Sequence, residues 1–224
     1  MKATITSPKD SVLNVKKLTT LAVFAAVAYV AMLVTHLIPA VNGFLSFDAK
    51  DAVIVISGMV FSPGAAVIVT LVVSFIEMIT VGHTGFIGLL MNLVSTTSFL
   101  LPICFIYKRS RKSKDVILGL LISTVTATVM MLLWNYFITP VYMNVPQSAV
   151  VDMMLPVFLP FNLIKYTLNS ALVLLIYKRI IYILNKMDIT RASESGKPSV
   201  VNILIALLGA AAAITVCVLL FYAK

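Results

Sequence analysis

The chain contains few charged residues for its length. Asp, Glu, Lys and Arg make up 11% of its 224 residues, whereas 61% are hydrophobic, and an ordinary soluble domain is about a quarter charged. This scarcity of charge excludes an ordinary water-soluble globule. The hydrophobic residues also form runs long enough to cross a bilayer. We therefore expect an all-α, polytopic membrane protein.

Acidic residues are the scarcer kind of charge. Eight Asp and Glu stand against 17 Lys and Arg, which gives a formal net charge of +9. A basic chain can bind nucleic acid. Here, however, the basic residues cluster in short segments between apolar runs, as in KRSRKSKD at 108–115. This is the distribution that the positive-inside rule describes, and it places the N-terminus in the cytoplasm.

The chain is also poor in cysteine and in catalytic signatures. Cys104 and Cys217 both lie in apolar runs and form no CxxC motif, so no disulfide framework is expected. No HExxH or P-loop sequence is present, and no nucleophile stands beside a base. His36 and His83 are isolated and predict no metal site. We therefore expect no enzyme. If the chain is a transporter driven by ATP, the ATPase is not in this chain.

The apolar runs predict seven spans. They are Leu18 to Ile38, Ala52 to Phe61, Ala65 to Val81, Phe86 to Tyr107, Val116 to Ile138, Met153 to Tyr177 and Val200 to Tyr222. The predicted organisation is a cytoplasmic tail (1–15), a six-span domain (16–185), a polar linker (186–199) and an additional transmembrane helix (200–224). The tail lacks the apolar core of a signal peptide, so the first span is expected to direct insertion. The sixth helix is expected to continue to about Leu184.

Residues 52–81 could form one broken helix or two short ones, because Ser62-Pro63-Gly64 interrupts them. Two spans place the basic segment 108–115 on the same side as the N-terminus, whereas one span places it outside, against the positive-inside rule. We therefore favour two. The second span reaches roughly 15–21 Å against a hydrocarbon thickness of about 30 Å. It must be buried among its neighbours or begin in the preceding FDAKD segment, which points to a site in the outer half.

Two ionisable residues, Glu77 and Lys165, lie inside the predicted spans. Each needs a partner or a cavity in hydrocarbon. Alternatively, Lys165 extends to the interface and Glu77 is itself interfacial, and an ion pair between the two is a further possibility. Asn162, Lys165 and Asn169 are three and four residues apart, so they share one helix face.

Other polar and aromatic residues favour a flat ligand. Asn135 lies in the aromatic segment WNYF, and Asn92 is a further amide in the fourth span. Aromatic faces can stack on a ring, while amides and an ammonium group can bond its polar edge. The loop NGFLSFDAKD carries Phe44, Leu45 and Phe47, which is unusual for a simple connector. We expect this loop to fold back as a lid.

A pair of alanines marks one surface of the first span. Ala22 and Ala26 are four residues apart, a spacing that lets helix backbones approach closely in lipid. This surface could pack within the molecule or against another membrane subunit.

Four stretches together resemble the S components of energy-coupling factor (ECF) vitamin transporters, in particular the riboflavin-binding members. They are AVFAAVAYVAM, FLSFDAKDAVIVISGMVFSPGAA, WNYFITPVYM and LPFNLIKYTLN, within residues 16–184. The resemblance implies a six-helix bundle with an outward-facing pocket, high-affinity binding of riboflavin as substrate and no cofactor. It also implies a transmembrane coupling protein and two cytoplasmic ATPases as partners, which reorient the S component to release substrate into a bacterial cell.

The resemblance also implies roles for particular residues. Asn135, Asn162 and Lys165 match the pocket residues, with the loop 44–47 closing over the ring. Ala22 and Ala26 match the surface that contacts the coupling protein. Asn92 and Asn169 are candidates from the residue pattern alone. The family core has six helices, so the seventh span is a departure.

Three alternatives remain open from the sequence. One is an S component for another flat vitamin, biotin or thiamine. Another is a membrane enzyme acting on lipid, which would need a carboxylate cluster or catalytic dyad at the interface. The third is a channel or ion-coupled carrier that works alone, although such carriers often contain internal repeats, and no clear repeat is visible here.

Overall fold

The computed structural model describes residues 8–37, 45–82 and 84–189. These segments contain α1 (Pro8–Thr35), α2 (Lys50–Val60), α3 (Pro63–Thr80), α4 (Gly85–Arg109), α5 (Ser113–Met143), α6 (Gln147–Met153) and α7 (Leu159–Lys186), with a π-helical turn, Met154–Phe158, between α6 and α7. Phe44, His83, residues 190–199 of the linker and the predicted seventh span lie outside the described residues.

Among the described residues, five helical segments are long and apolar enough to cross a membrane. They are α1 from Val15 onward, α3, α4, α5 and the continuous segment Gln147–Lys186. The short α2 adds a sixth element, and all eleven of its residues are buried. The predicted all-helical, polytopic bundle is confirmed. The second span begins at Lys50, within the FDAKD segment, and it is also buried among its neighbours.

α1 lies at the edge of the bundle and uses one narrow stripe to pack against it. Phe24, Ala28 and Met32 are buried and four residues apart, so they share one face. Ala22 and Ala26 lie outside this stripe and are exposed. Packing within the described residues therefore does not use the alanine pair. α1 also begins at Pro8, well before the predicted Leu18, so part of the predicted tail is helical.

The break between α2 and α3 follows from local chemistry. The Ser62 side chain accepts a hydrogen bond from the backbone N–H of Ala65 at 3.2 Å, and Pro63 occupies the first turn of α3. Both are favoured at a helix start. Residues 52–81 are therefore two helices, as the charge distribution predicted.

α2 approaches its neighbours closely because residue 58 is glycine. A Cβ atom built on Gly58 would lie 2.5 Å from Cys104 Sγ on α4 and 3.0 Å from Ala66 Cβ on α3. No side chain fits there without a shift. This contact holds α2 in the centre of the bundle.

The sixth predicted span is longer than its apolar run indicated. α6 begins at Gln147, six residues before the predicted start at Met153, and α7 continues to Lys186, past the expected end at Leu184. Pro156 lies in the π turn and Pro160 in the first turn of α7. The π turn widens the helix directly before the residues that were predicted to bind ligand, which is where such turns are often found.

Candidate ligand-binding site

One end of the bundle contains an open cavity between α4, α5 and α7. Its empty space, together with the open solvent at its mouth, is about 700 Å³. The lining residues are Leu45, Ser46, Thr84, Ile87, Gly88, Met91, Ser95, Met131, Trp134, Asn135, Ile138, Thr139, Tyr142, Phe161, Asn162 and Lys165. Most of this wall is apolar or aromatic, with a few polar groups, as expected for a site that takes a flat organic ligand.

Asn135 has a defined orientation in the cavity wall. Its Oδ1 accepts a hydrogen bond from Thr139 Oγ1 at 2.9 Å, one turn later on α5. Its Nδ2 is buried and has no hydrogen-bond partner among the described residues. The amide nitrogen is thus left as a donor for a ligand. Thr139 was not predicted as a site residue, because a lone threonine in an apolar helix is common.

Asn162 has the complementary orientation. Its Nδ2 donates a hydrogen bond to the Phe158 carbonyl oxygen at 2.8 Å, at the end of the π turn. This bond uses one of the two N–H donors of the amide and leaves Oδ1 as an acceptor. The two asparagines therefore offer both donor and acceptor groups to the same cavity.

Lys165 turns inward rather than toward the interface. Its side chain is 12% exposed, and Nζ lies 3.9 Å from Asp51 Oδ2 and 5.8 Å from the centre of the Tyr166 ring. The suggested ion pair with Glu77 is not formed. Glu77 Oε2 is instead 2.6 Å from Lys50 Nζ, because Lys50 begins α2 beside α3.

A buried charge cluster surrounds the start of α2. We define it as Asp48, Lys50, Asp51, Glu77 and Lys165. The Lys50 ammonium group contacts both Asp48 and Glu77, and Asp51 contributes a third carboxylate. Sequence reasoning missed the burial of 48, 50 and 51 because it assigned them to the connecting loop. The signal was available: the FDAKD charges directly precede a run too short to span the membrane alone.

Asn169 is not a cavity residue. Its Nδ2 donates to the carbonyl oxygens of Asp48 (2.8 Å) and Lys165 (3.0 Å), and its Oδ1 accepts from the Ala52 backbone N–H at 3.1 Å. Because its amide is bonded to these backbone groups, Asn169 connects the start of α2 to α7, one helical turn after Lys165. Asn92 is half-buried on α4 and does not line the cavity either.

Two residues of the loop predicted to form a lid, Leu45 and Phe47, are among the described residues. Leu45 is buried and lines the cavity. Phe47 lies beside the cavity and packs on Phe161, with ring centroids 5.2 Å apart and planes at 47°. Phe44 lies outside the described residues. The described part of the loop therefore covers the start of α7, next to Asn162.

With this geometry established, comparisons with known proteins identify the family. Residues 16–177 match the family described as "ECF transporter, substrate-specific component". The chain belongs to this family. Its relatives include the riboflavin transporter RibU of Staphylococcus aureus (strain TCH60), 30% identical over 179 residues and covering 77% of this chain and 94% of that protein. The riboflavin transporter FmnP of Bacillus subtilis (strain 168) is 28% identical over 174 residues, covering 74% and 92%.

A solved structure supports the same assignment. It is described as the S component of a bacterial ECF transporter, and it superposes on this chain with a TM-score of 0.65 at 30% identity, covering 76% of this chain and 98% of that one. The bundle is thus an ECF S-component fold, and this is a family of transporter subunits rather than of enzymes.

Proposed function

We propose that this S component binds riboflavin with high affinity and supplies it for uptake. The observation that carries the proposal is the convergence of Asn135, Asn162 and Lys165 on one largely apolar cavity. The relatives from Staphylococcus aureus, Bacillus subtilis and Streptococcus thermophilus, all named riboflavin transporters, support the choice of ligand.

The hydrogen-bonding pattern of the cavity suits the polar edge of the flavin ring. That edge alternates carbonyl and ring-nitrogen acceptors with one N–H donor. The Asn135 amide nitrogen and the Lys165 ammonium group supply donors, and Asn162 Oδ1 supplies the acceptor. Trp134 and Tyr142 add aromatic surface to the same wall, and an aromatic face can stack on the ring.

The remaining surfaces suit a transporter subunit in a bacterial cell membrane. α4 runs from the cavity end of the bundle to Arg109, roughly 37 Å away at 1.5 Å per residue, so the basic segment 108–115 lies at the opposite end. The positive-inside rule then orients the cavity outward and the N-terminus to the cytoplasm. The exposed Ala22 and Ala26 would contact the coupling protein, whose two ATPases drive reorientation and inward release.

The visible absorption spectrum of the purified protein tests the proposal. A yellow protein, or a colourless one that binds added riboflavin in a fluorescence titration, is the expected result. Excess biotin or thiamine should not displace the flavin. A protein without flavin affinity that binds one of those two vitamins would contradict riboflavin as the substrate and support the alternative.

A further inference from the structure

We propose that Asp51, held by Thr96, is a positioning residue that fixes the Lys165 ammonium group at the wall of the ligand cavity. The inference rests on the proposed function of that cavity. Asp51 lies in the first turn of α2, is 1% exposed and does not line the cavity. It therefore acts on the ligand through Lys165.

The distance between the two groups fits a positioning role. Lys165 Nζ and Asp51 Oδ2 are 3.9 Å apart, which is close enough for strong attraction in poorly hydrated surroundings. It is also longer than an N–H···O hydrogen bond. Asp51 thus compensates the charge of Lys165 without occupying the N–H donors that a ligand would use.

Thr96 fixes the orientation of the carboxylate. Thr96 Oγ1, on α4, donates to Asp51 Oδ1 at 2.6 Å. Asp51 Oδ2 is buried and has no hydrogen-bond partner among the described residues. A carboxylate that served only to hold the start of α2 would be expected to have both oxygens bonded. Here the unbonded oxygen is the one nearest the ammonium group.

The other members of the buried charge cluster are already engaged. Lys50 lies between Asp48 and Glu77 and contacts both, so the two carboxylates nearest to its charge are not Asp51. Asn169 joins the backbone of Lys165 to that of Asp48 and Ala52. These hydrogen bonds set the spacing between α7 and α2, and hence between Lys165 and Asp51.

Loss of the Asp51 charge should therefore weaken binding. An ammonium group in an apolar cavity is costly without a compensating charge. Lys165 would then extend toward water at the mouth, as lysines do at membrane interfaces. The ligand would lose a donor although Lys165 itself is still present.

A double-mutant cycle on the full chain in detergent tests the inference. Riboflavin is titrated against the wild type, Asp51→Asn, Lys165→Met and the double variant. We expect Asp51→Asn to weaken binding about tenfold in the wild-type background and by less than about twofold when Lys165 is already Met. Thr96→Val should weaken binding roughly threefold, and Thr96→Ser should restore it, because serine keeps the hydroxyl that orients Asp51.

Two matched variants serve as controls. Asp152→Asn removes an exposed carboxylate, and Thr97→Val removes a hydroxyl that bonds its own helix; both should bind riboflavin like the wild type.

Equal weakening by Asp51→Asn in both backgrounds would indicate a purely structural role and overturn the inference, as would wild-type affinity for both Asp51→Asn and Thr96→Val. If Asp51→Asn does not fold, the comparison of Thr96→Val with Thr96→Ser tests the inference. If the wild type itself does not bind riboflavin, the proposed function is wrong as well as this inference. If the wild type binds riboflavin and only the variants depart from expectation, the inference alone is wrong.

Discussion

At the residue scale, Lys165 is the side chain on which the binding proposal depends most. Of the described residues that line the cavity, it is the cationic one, and hydrogen bonds to charged groups contribute about 1.5–3 kcal/mol. Lys165→Met keeps the length of the side chain but removes the ammonium group. We expect the dissociation constant for riboflavin to rise by about ten- to a hundredfold, measured by titration of flavin fluorescence. Lys186→Met, at the exposed end of the same helix, is the control and should leave it unchanged.

The orientation of Asn135 gives a second prediction at this scale. Asn135→Asp replaces the amide donor by a carboxylate oxygen, so riboflavin affinity should fall by at least about tenfold. Thr139→Val keeps the amide but removes the hydroxyl that orients it, and should cost only a few-fold in affinity. Thr126→Val, a half-buried position on α5 away from the cavity, is the control. A Thr139→Val effect as large as that of Asn135→Asp would instead indicate direct contact between Thr139 and the ligand.

At the scale of elements, the position of α2 depends on its close approach to α3 and α4. Gly58→Ala would introduce a Cβ atom 2.5 Å from Cys104 Sγ, and overpacking of this kind costs about 1–3 kcal/mol. We expect a lower midpoint of thermal unfolding in detergent and weaker riboflavin binding, because α2 carries Asp51.

Gly64 and Cys104 offer matched comparisons for the Gly58→Ala substitution. Gly64→Ala adds the same methyl group where, apart from the adjacent residues and the backbone of its own helix, no heavy atom lies within 4 Å, so stability should not fall. Cys104→Ala in the Gly58→Ala background removes the closest atom and should recover part of the loss. Unchanged stability of Gly58→Ala alone would show that the helices separate easily and would contradict the tight packing inferred here.

Elements governed by local rules could be predicted from the sequence. The Ser62-Pro63 helix start and the shared face of Asn162 and Lys165 follow from capping chemistry and the helical period. The pairing of helices could not be predicted, because spacing along one helix does not say which neighbour it meets. For that reason the partners of Glu77 and Lys165 were found only in the structure. Asn169 shares the predicted face but lies where α2 crosses α7, and its amide bonds the backbone there.

At the scale of the whole molecule, charge and exposure divide the bundle into functional regions. The buried charge cluster and the cavity share one end, and the basic segment 108–115 lies at the other. α1 presents a broad apolar surface outside its buried stripe, including the exposed residues Val23, Val27, Val30 and Val34. The proposed ligand site and the proposed partner surface therefore lie on different parts of the molecule, and substitutions should be able to separate their effects.

The alanine pair of α1 provides that separation. Ala22 and Ala26 are exposed, and no residue of α1 is among the residues that line the cavity. Larger side chains at these positions would prevent close approach of a partner helix. The double variant Ala22→Leu/Ala26→Leu remains apolar, so it should insert and bind riboflavin with wild-type affinity. Uptake of labelled riboflavin by cells that supply the coupling protein and ATPases should fall severalfold or more. Val129→Leu, an exposed position on α5, should transport normally. Wild-type uptake by the double variant would place the partner surface elsewhere, whereas a parallel loss of binding would show that α1 supports the cavity itself.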